Sequence, residues 1–163
     1  MTIIHDQMIT EIIKEAKTST RKRINYNFHK TYDANVQRML NAMEPGTYVQ
    51  PHKHENPDKV EAFIILKGKA LVVEFDNAGE VITSCVISTG DGVYGAEIAP
   101  CVWHCILPLA SGTVIYEAKD GPYSSANDKH FATWSPKEGD PGCDQYIKAL
   151  MQRCGINSEF VKG

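Results

Sequence analysis

The sequence predicts a mainly β domain, an antiparallel sandwich or barrel with one helix near each end. From Val36 to about Lys119, short runs rich in Val, Ile, Leu and Phe alternate with turn signals such as EPG (44–46), STGDG (88–92) and ASG (110–112). Strands that recur about every 8–12 residues with such turns are typical of antiparallel sandwiches and barrels. The clearest predicted hairpin is 69–87, where two β-rich arms flank the turn DNAG.

The segments on either side of these strands have a different character. Residues 5–17 carry apolar side chains at intervals of three or four residues, which predicts an amphipathic helix. Residues 18–35 are polar and turn-like. After Lys119 comes a segment rich in Gly, Pro, Ser and Asp, predicted to be extended but ordered because Phe131 and Trp134 require burial. A short helix is predicted at 143–153.

These elements predict one domain with three parts. They are an N-terminal helix and lead-in (1–35), the barrel (36–119), and a C-terminal extended segment with a short helix (120–163). A chain of 163 residues is long enough to bury a core of this kind.

Composition narrows the range of partners. The chain is 42% hydrophobic and has a formal net charge of −3, which gives no electrostatic reason to expect nucleic acid. No apolar run reaches the ~18–20 residues of a membrane span, and the charged N-terminal residues do not resemble a secretory signal. A cytoplasmic location is therefore expected. The five cysteines show no CxxC spacing and are expected to be free thiols.

Two histidines one residue apart provide the strongest functional signal. His52 and His54 point to the same face if their segment is extended. Glu61 opens the next apolar run and His104 lies in another. Imidazole and carboxylate groups suit Zn, Fe, Mn, Ni or Co, so the three histidines are predicted to share one metal. Glu61 is either a fourth ligand or a hydrogen-bond partner of a ligand, or it pairs with Lys59.

The order of these residues resembles the paired motifs of the cupin superfamily. The matching positions are Gly46, His52, His54, Glu61, Gly68 and His104. The resemblance implies a double-stranded β-helix, also called a jelly-roll barrel, with one divalent transition metal inside (Zn, Fe, Mn or Ni). It also implies a homodimer, since cupins often pair through barrel edges.

The match has two departures from the usual cupin pattern. Six residues separate His54 from Glu61, where the first motif usually has three or four. The second motif usually reads Pro-x-Gly-x-x-His, and here Ala99 and Cys101 occupy the Pro and Gly places.

Longer segments are similar to the WbuC-type cupin-fold metalloproteins over about residues 5–150. These segments are YNFH (26–29), VQRML (36–40), EPGTYVQPHKH (44–54), GAEIAPCVWH (95–104), YEAKDGPY (116–123) and FATWSPKEGD (131–140). The resemblance implies a link to surface-polysaccharide (O-antigen) synthesis and implies no established reaction.

The same resemblance suggests where a substrate would bind. It implies substrate contacts for Asn27, His29 and Arg38, although Asn27 and His29 could equally anchor the N-terminal segment. Gln37 and Arg38 have opposite parity on a strand, so at most one faces the barrel. Tyr48 shares the parity of the two histidines and lines the cavity or packs in the core.

Glu117 and Lys119 share one face of a late strand. They form either an internal pair near the pocket or a solvated edge. In the pocket, Lys119 would contact substrate and Glu117 would join Glu61 as a candidate for proton transfer.

Three functions are compatible with these features. The first is a metal-dependent enzyme that acts on a sugar or nucleotide-sugar derivative. Its reaction would be that of an isomerase or epimerase, of a hydrolase or of an Fe(II) oxygenase. The second is a non-catalytic metal-dependent module that binds a small molecule or has a regulatory role. The third is a closed structural metal, which would show four protein ligands and no cavity.

Overall fold

A computed structural model of the chain describes residues 1–156 and contains two helices and ten strands. Helix α1 spans Asp6–Thr18 and helix α2 spans Cys143–Arg153. The strands are β1 (Arg23–Asn27), β2 (Val36–Met43), β3 (His52–Lys53), β4 (Glu61–Lys67), β5 (Lys69–Phe75), β6 (Val81–Ser88), β7 (Gly95–Ile98), β8 (Trp103–Pro108), β9 (Thr113–Asp120) and β10 (His130–Phe131). The predicted hairpin is confirmed as β5 and β6.

The strands form two five-stranded antiparallel sheets that face each other. The first sheet has the order β1-β2-β9-β4-β7 and the second has the order β10-β3-β8-β5-β6. Most pairs of consecutive strands, such as β4 and β5, therefore lie in different sheets, as in a double-stranded β-helix. The predicted fold class, a mainly β barrel with a helix near each end, is confirmed.

The space between the sheets has an apolar part and a polar part. The apolar part contains Met43, Phe63, Ile65, Val72, Ile87, Ile106 and Ile115, all buried. Along the inner face of the first sheet, the side chains change from apolar in this core to polar at one end of the barrel, and the strand register aligns the polar residues with one another. There Glu61 of β4 lies opposite Lys119 of β9, and Lys119 lies opposite Gln37 of β2. Alternation along each strand thus places several buried polar side chains in one half of the barrel.

The two helices cover the outer faces of the sheets. Ile12, Ile13 and Ala16 of α1 pack on Leu40 and other residues of the first sheet. Leu150 and its neighbours in α2 pack on the outer side of the second sheet. Among residues 1–156, no helix is long and apolar enough to cross a membrane.

Two strands lie outside the stretch that the sequence predicts to be β-rich. The expectation that residues 18–35 are turn-like is wrong for Arg23–Asn27, which pair with β2 over their whole length. The C-terminal segment contributes β10, in which Phe131 pairs with His52. Trp134 packs against Phe75, as its need for burial predicts, but Phe131 is 54% exposed and that expectation is wrong.

The turn at Gly68 carries the chain from one sheet to the other and gives a test of the fold. Gly68 has φ of +79°, and a Cβ there would lie 2.8 Å from the Thr113 backbone Cα. We expect Gly68→Ala to lower the free energy of unfolding by more than about 2 kcal/mol, since the left-handed conformation and the contact both cost energy. Urea denaturation would measure the loss.

Gly92 offers a matched control for this substitution. Its φ is +81°, but nothing lies within 4 Å of a Cβ at that position. Gly92→Ala should therefore show the backbone cost alone, about 1–2 kcal/mol. Equal losses in the two variants would contradict the close packing of Gly68 on Thr113.

Candidate metal centre

Four buried side chains converge at the polar end of the barrel. His52 lies on β3, His54 follows it, Glu61 opens β4 and His104 lies on β8. Their ligand atoms all lie within 4.8 Å of one another, and each side chain is at most 3% exposed. His52 and His104 are opposite each other in the β3–β8 pair. The structure thus brings together the four residues that the sequence places in a metal site.

Backbone carbonyl groups fix the orientation of the three imidazole rings. The Nδ1 atom of His52 lies 2.9 Å from the carbonyl oxygen of Gln50, and that of His104 lies 2.9 Å from the carbonyl oxygen of Val102. The Nδ1 atom of His54 contacts the carbonyl oxygen of Asp128. Because a carbonyl oxygen only accepts, each Nδ1 carries the proton. Each Nε2 is therefore the atom available to a metal, the arrangement usual for metal-binding histidines.

The arrangement of the Nε2 atoms fits a divalent metal. The Nε2 atom of His52 is buried and has no hydrogen-bond partner among the described residues. Those of His54 and His104 lie 3.1 Å and 2.9 Å from Oε2 of Glu61. With Nδ1 protonated, such a contact is a hydrogen bond only if the ring is an imidazolium. A metal ion would instead accept the lone pairs of all three rings and of the carboxylate.

Electrostatics at the cluster favours a neutral His52 ring and an ionised Glu61 carboxylate. Burial and the nearby Lys129 ammonium hold the pKa of His52 well below its usual value. Burial alone would raise the pKa of Glu61, but its contacts with His104 and His54 hold that pKa well below its usual range. These are the protonation states that bind a metal.

Two adjoining polar cavities lie beside the cluster, and we call them the inner cavity and the outer cavity. The inner cavity, of about 400 Å³, is lined by His52, Glu61, His104 and Glu117 among others. The outer cavity, of about 350 Å³, shares Glu117 and Lys129 with it and continues towards His29 and Tyr123. Volumes of this size accommodate small-molecule ligands.

Asn41 and Glu117 line the inner cavity and are hydrogen-bonded to each other. Asn41 Nδ2 donates a hydrogen bond of 3.1 Å to Oε2 of Glu117, and Oδ1 of Asn41 is buried without a partner among the described residues. Burial and the adjacent Glu61 carboxylate raise the pKa of Glu117 to about 8. Glu117 can therefore hold a proton near neutral pH, a property of groups that transfer protons in catalysis.

A buried ionic cluster forms one wall of the outer cavity. Asp128 accepts hydrogen bonds from Lys59, at 2.8 Å, and from Lys119. All three side chains are at most 4% exposed. Burial alone would raise the pKa of Asp128, but the two ammonium groups lower it below its usual value. Since the carbonyl oxygen of Asp128 also contacts His54, this cluster is directly attached to the metal centre.

A second ionic group lines the outer cavity. Glu138 accepts hydrogen bonds from Arg21 at 2.7 Å and from Arg23 at 2.7 Å. Arg23 also donates to the carbonyl oxygen of Tyr48 at 2.8 Å. These contacts join the start of β1 to the C-terminal segment beside the outer cavity.

The structure separates the remaining sequence-predicted residues into two groups. Asn27, His29 and Lys119 line the outer cavity. Arg38 is exposed on the opposite face of β2 from the buried Gln37, in keeping with their opposite parity. Tyr48 packs in the core beneath α2 and donates a hydrogen bond to the carbonyl oxygen of Pro136. Neither Arg38 nor Tyr48 lines the two cavities.

Sequence reasoning missed Asp128 and Lys129. Both lie in the segment rich in Gly, Ser and Asp, which has no periodicity to indicate which side chains face inward. The available signal is a run of charged and polar residues (127–130) just before the apolar Phe131. Burial lowers the pKa of Lys129, and the nearby carboxylate of Glu61 opposes that change.

The backbone at Cys101 explains one departure from the cupin motif. Cys101 stands in the Gly place of the second motif and has φ of +65°, a conformation that usually favours glycine. Its N–H donates to the carbonyl oxygen of His54 at 3.0 Å. The chain therefore keeps the motif's backbone shape with a side chain present. The side chain of Cys101 is exposed, while that of Cys105 is buried.

Comparison with protein families and curated proteins gives one match. Residues 4–87, more than half of the chain, match the family described as Domain of unknown function (DUF6016). The matched region contains His52, His54 and Glu61 and ends before His104. No curated protein matches the sequence significantly.

Solved structures with low sequence identity share the fold. The capsular polysaccharide assembling protein CapF from Staphylococcus aureus is 22% identical with a TM-score of 0.53, over 67% of this chain and 31% of that one. An uncharacterized Klebsiella pneumoniae protein with a double-stranded β-helix domain is 17% identical with a TM-score of 0.52, over 81% and 98%. Oxalate decarboxylase from Bacillus subtilis is 16% identical with a TM-score of 0.50, over 84% and 37%. The chain thus aligns to about a third of CapF and of oxalate decarboxylase, and the likeness establishes the cupin-like fold.

Proposed function

Because the chain belongs to the DUF6016 family, whose description assigns no function, we propose a function from its site: a metal-dependent enzyme that acts on a small polar molecule. The metal is one divalent transition ion per chain, held by His52, His54, Glu61 and His104. The substrate is a sugar or nucleotide-sugar derivative, consistent with the two polar cavities beside the cluster.

One observation carries this proposal. Three imidazole rings donate Nδ1–H to carbonyl groups, and the rings of His54 and His104 place Nε2 against the Glu61 carboxylate. The Nε2 atom of His52 is buried in the same cluster without a partner among the described residues. A buried unpaired acceptor costs about 1–3 kcal/mol, and a metal ion would remove that cost. When bound, the ion would polarise a carbonyl or hydroxyl oxygen or activate water.

Glu117 is the group that favours catalysis over binding alone. It lines both cavities, and burial raises the pKa of its carboxyl group, which suits a group that donates or accepts a proton near neutral pH. Asn41 holds its carboxyl group in place. Asn27, His29 and Lys119 line the outer cavity and would contact the remainder of the substrate.

The link to surface-polysaccharide synthesis is a further part of the proposal. It is supported by the segments that resemble the WbuC-type proteins. The description of CapF as a capsular polysaccharide assembling protein is in keeping with it. The expected cytoplasmic location and homodimer stay predictions.

The alternatives differ in what they require of the site. A non-catalytic module that binds a sugar would need the cavity but no proton-transfer group, so Glu117 would be dispensable for its action. A closed structural metal would have no cavity beside it, and the inner cavity argues against that function.

Elemental analysis combined with a substrate screen tests the proposal. Untagged protein should contain close to one equivalent of a divalent transition metal by inductively coupled plasma mass spectrometry. The metal-loaded protein should convert a member of a sugar-phosphate and nucleotide-sugar panel, followed by liquid chromatography and mass spectrometry. His104→Ala should lose both properties. A protein that takes up no metal would overturn the proposal, and bound metal without conversion would favour the binding module.

A further inference from the structure

In the described part of the chain, Lys129 is a cation beside the metal centre that makes no hydrogen bond or ion pair. It lines both cavities, together with Glu117. Among residues 1–156 its ammonium group makes no hydrogen bond and no ion pair, whereas Lys59 and Lys119 are both paired with Asp128. The carboxylates of Glu61, Glu117 and Asp128 are close enough to act on this half-buried ammonium group, but none of them forms a direct ion pair with it, so its N–H donors are available to a ligand in the cavity.

The two ionic clusters described above, one around Asp128 and one around Glu138, each contain two cations and one anion. Asp128 serves two lysines, and Glu138 serves two arginines. The lining side chains of the two cavities include four cations and four carboxylates, which are Arg21, Arg23, Lys119 and Lys129, and Glu61, Glu117, Asp128 and Glu138. A divalent metal at the cluster would add two positive charges to this balanced set. The loaded cavity would therefore have a net positive charge even with every carboxylate ionised, and it would favour an anion.

We propose that the ligand of this site is a polyhydroxylated small molecule with an anionic group, a carboxylate or a phosphate, which pairs with Lys129. This inference rests on the proposed function and narrows its substrate class from polar molecules to anionic ones. The ammonium group would orient the ligand by its charged end, with the hydroxylated part directed to the inner cavity.

Asn41 accounts for the hydroxylated part of the ligand. It lines the inner cavity, is 8% exposed, and leaves Oδ1 without a partner. Since a carbonyl oxygen only accepts hydrogen bonds, it matches a donor such as a ligand hydroxyl group. An anion without a hydroxyl group, such as chloride or sulfate, does not combine a charge with a hydrogen-bond donor.

The competing explanation is that Lys129 only balances the charges of Glu61 and Glu117. Lys129 is close enough to influence the pKa of both. Under that explanation, removal of the ammonium group would change metal affinity and leave the preference among ligands unaltered. The two explanations thus predict different ligand-binding results.

Three sugar probes that differ at one carbon provide the test. D-Glucose, D-glucuronate and D-glucose 6-phosphate carry at C6 a hydroxymethyl group, a carboxylate and a phosphate ester. Calorimetric titration of the metal-loaded protein should show that at least one charged probe binds tenfold or more tightly than D-glucose. Whichever charged probe binds identifies the anionic group. Lys129→Met should weaken that probe roughly 10- to 100-fold, the usual effect of losing a hydrogen bond to a charged group, and should change D-glucose binding less than about twofold.

Two further variants and one measurement control the experiment. Lys14→Met removes the same charge from an exposed position of α1 and should leave all three affinities unchanged. Lys129→Gln replaces Lys129→Met if the latter does not fold. Metal content is measured in every sample. Unmodified protein that takes up no metal contradicts the proposed function, whereas Lys129→Met protein that has lost its metal supports the charge-balancing explanation and contradicts the inference. The inference would be overturned if the charged and neutral probes bound with equal affinity, or if none of them bound measurably. It would also be overturned if Lys129→Met bound the charged probe as tightly as the unmodified protein does.

Discussion

Replacing His52 with alanine should leave the protein folded and abolish tight metal binding. The Nε2 atom of His52 has no partner in the described chain, so the substitution removes only the bond between Nδ1 and the Gln50 carbonyl oxygen, worth about 1 kcal/mol, and some packing. The metal would lose a direct ligand. Its affinity should fall by more than the roughly 10–100-fold seen when a hydrogen-bond partner of a ligand is removed.

Competition with a chromogenic chelator would measure the zinc dissociation constant of this variant. His5→Ala is the matched control, because His5 caps α1 at the surface and lies outside the cluster. Glu61→Gln should weaken binding in the same assay if Glu61 is a direct ligand. Zinc affinity within threefold of the unmodified protein in His52→Ala would remove His52 from the site.

Replacing Asp128 with alanine should cost about 3–5 kcal/mol of unfolding free energy. The variant would leave the ammonium groups of Lys59 and Lys119 buried without their counterion, and losing one partner of a buried ion pair has a cost of that size. Urea denaturation followed by circular dichroism would show the loss as a lower midpoint. The unmodified protein must be more stable than this for the variant to fold.

The surface residue Asp33 provides the control for Asp128. It is exposed, so Asp33→Ala should change stability by less than about 0.5 kcal/mol. Replacing Lys119 with methionine together with Asp128→Ala should cost less than the sum of the two single changes, because the double variant removes a charge that the single variant strands. A loss below 1 kcal/mol in Asp128→Ala would mean that water reaches these lysines.

The barrel strands between residues 36 and 119 and the shared face of His52 and His54 can be predicted from sequence because they follow simple rules, and the order of the cupin motifs adds Glu61 and His104. Turn signals separated the β-rich runs, and alternation along a strand put His52 and His54 on one face. Alternation also predicted that Glu117 and Lys119 point the same way, and both are buried at the polar end of the barrel. The separation of Gln37 from Arg38 followed from the same rule.

Other features depend on contacts between distant segments and could not be predicted from local patterns. Residues 23–27 (RINYN) have no inward-facing apolar repeat, and they form β1 because β2 supplies a pairing edge. Lys129 faces the cavity because β10 aligns with β3, and no periodicity in that segment indicates it. Phe131 was expected in the core for its hydrophobicity, but it lines the outer cavity and is largely exposed.

The carbonyl group of Asp128 that orients His54 comes from a segment 74 residues away in sequence. An intermediate with paired barrel strands, but with residues 120–135 still undocked, would have a His54 ring free to rotate and would lack the cavity wall. Such an intermediate would bind a metal more weakly than the finished fold. Metal binding therefore adds stability selectively to the completed structure, by an amount that grows with the logarithm of metal concentration. With the proposed metal bound, the free energy of unfolding should therefore rise with the concentration of the ion, and the docked segment 120–135 would share in that gain.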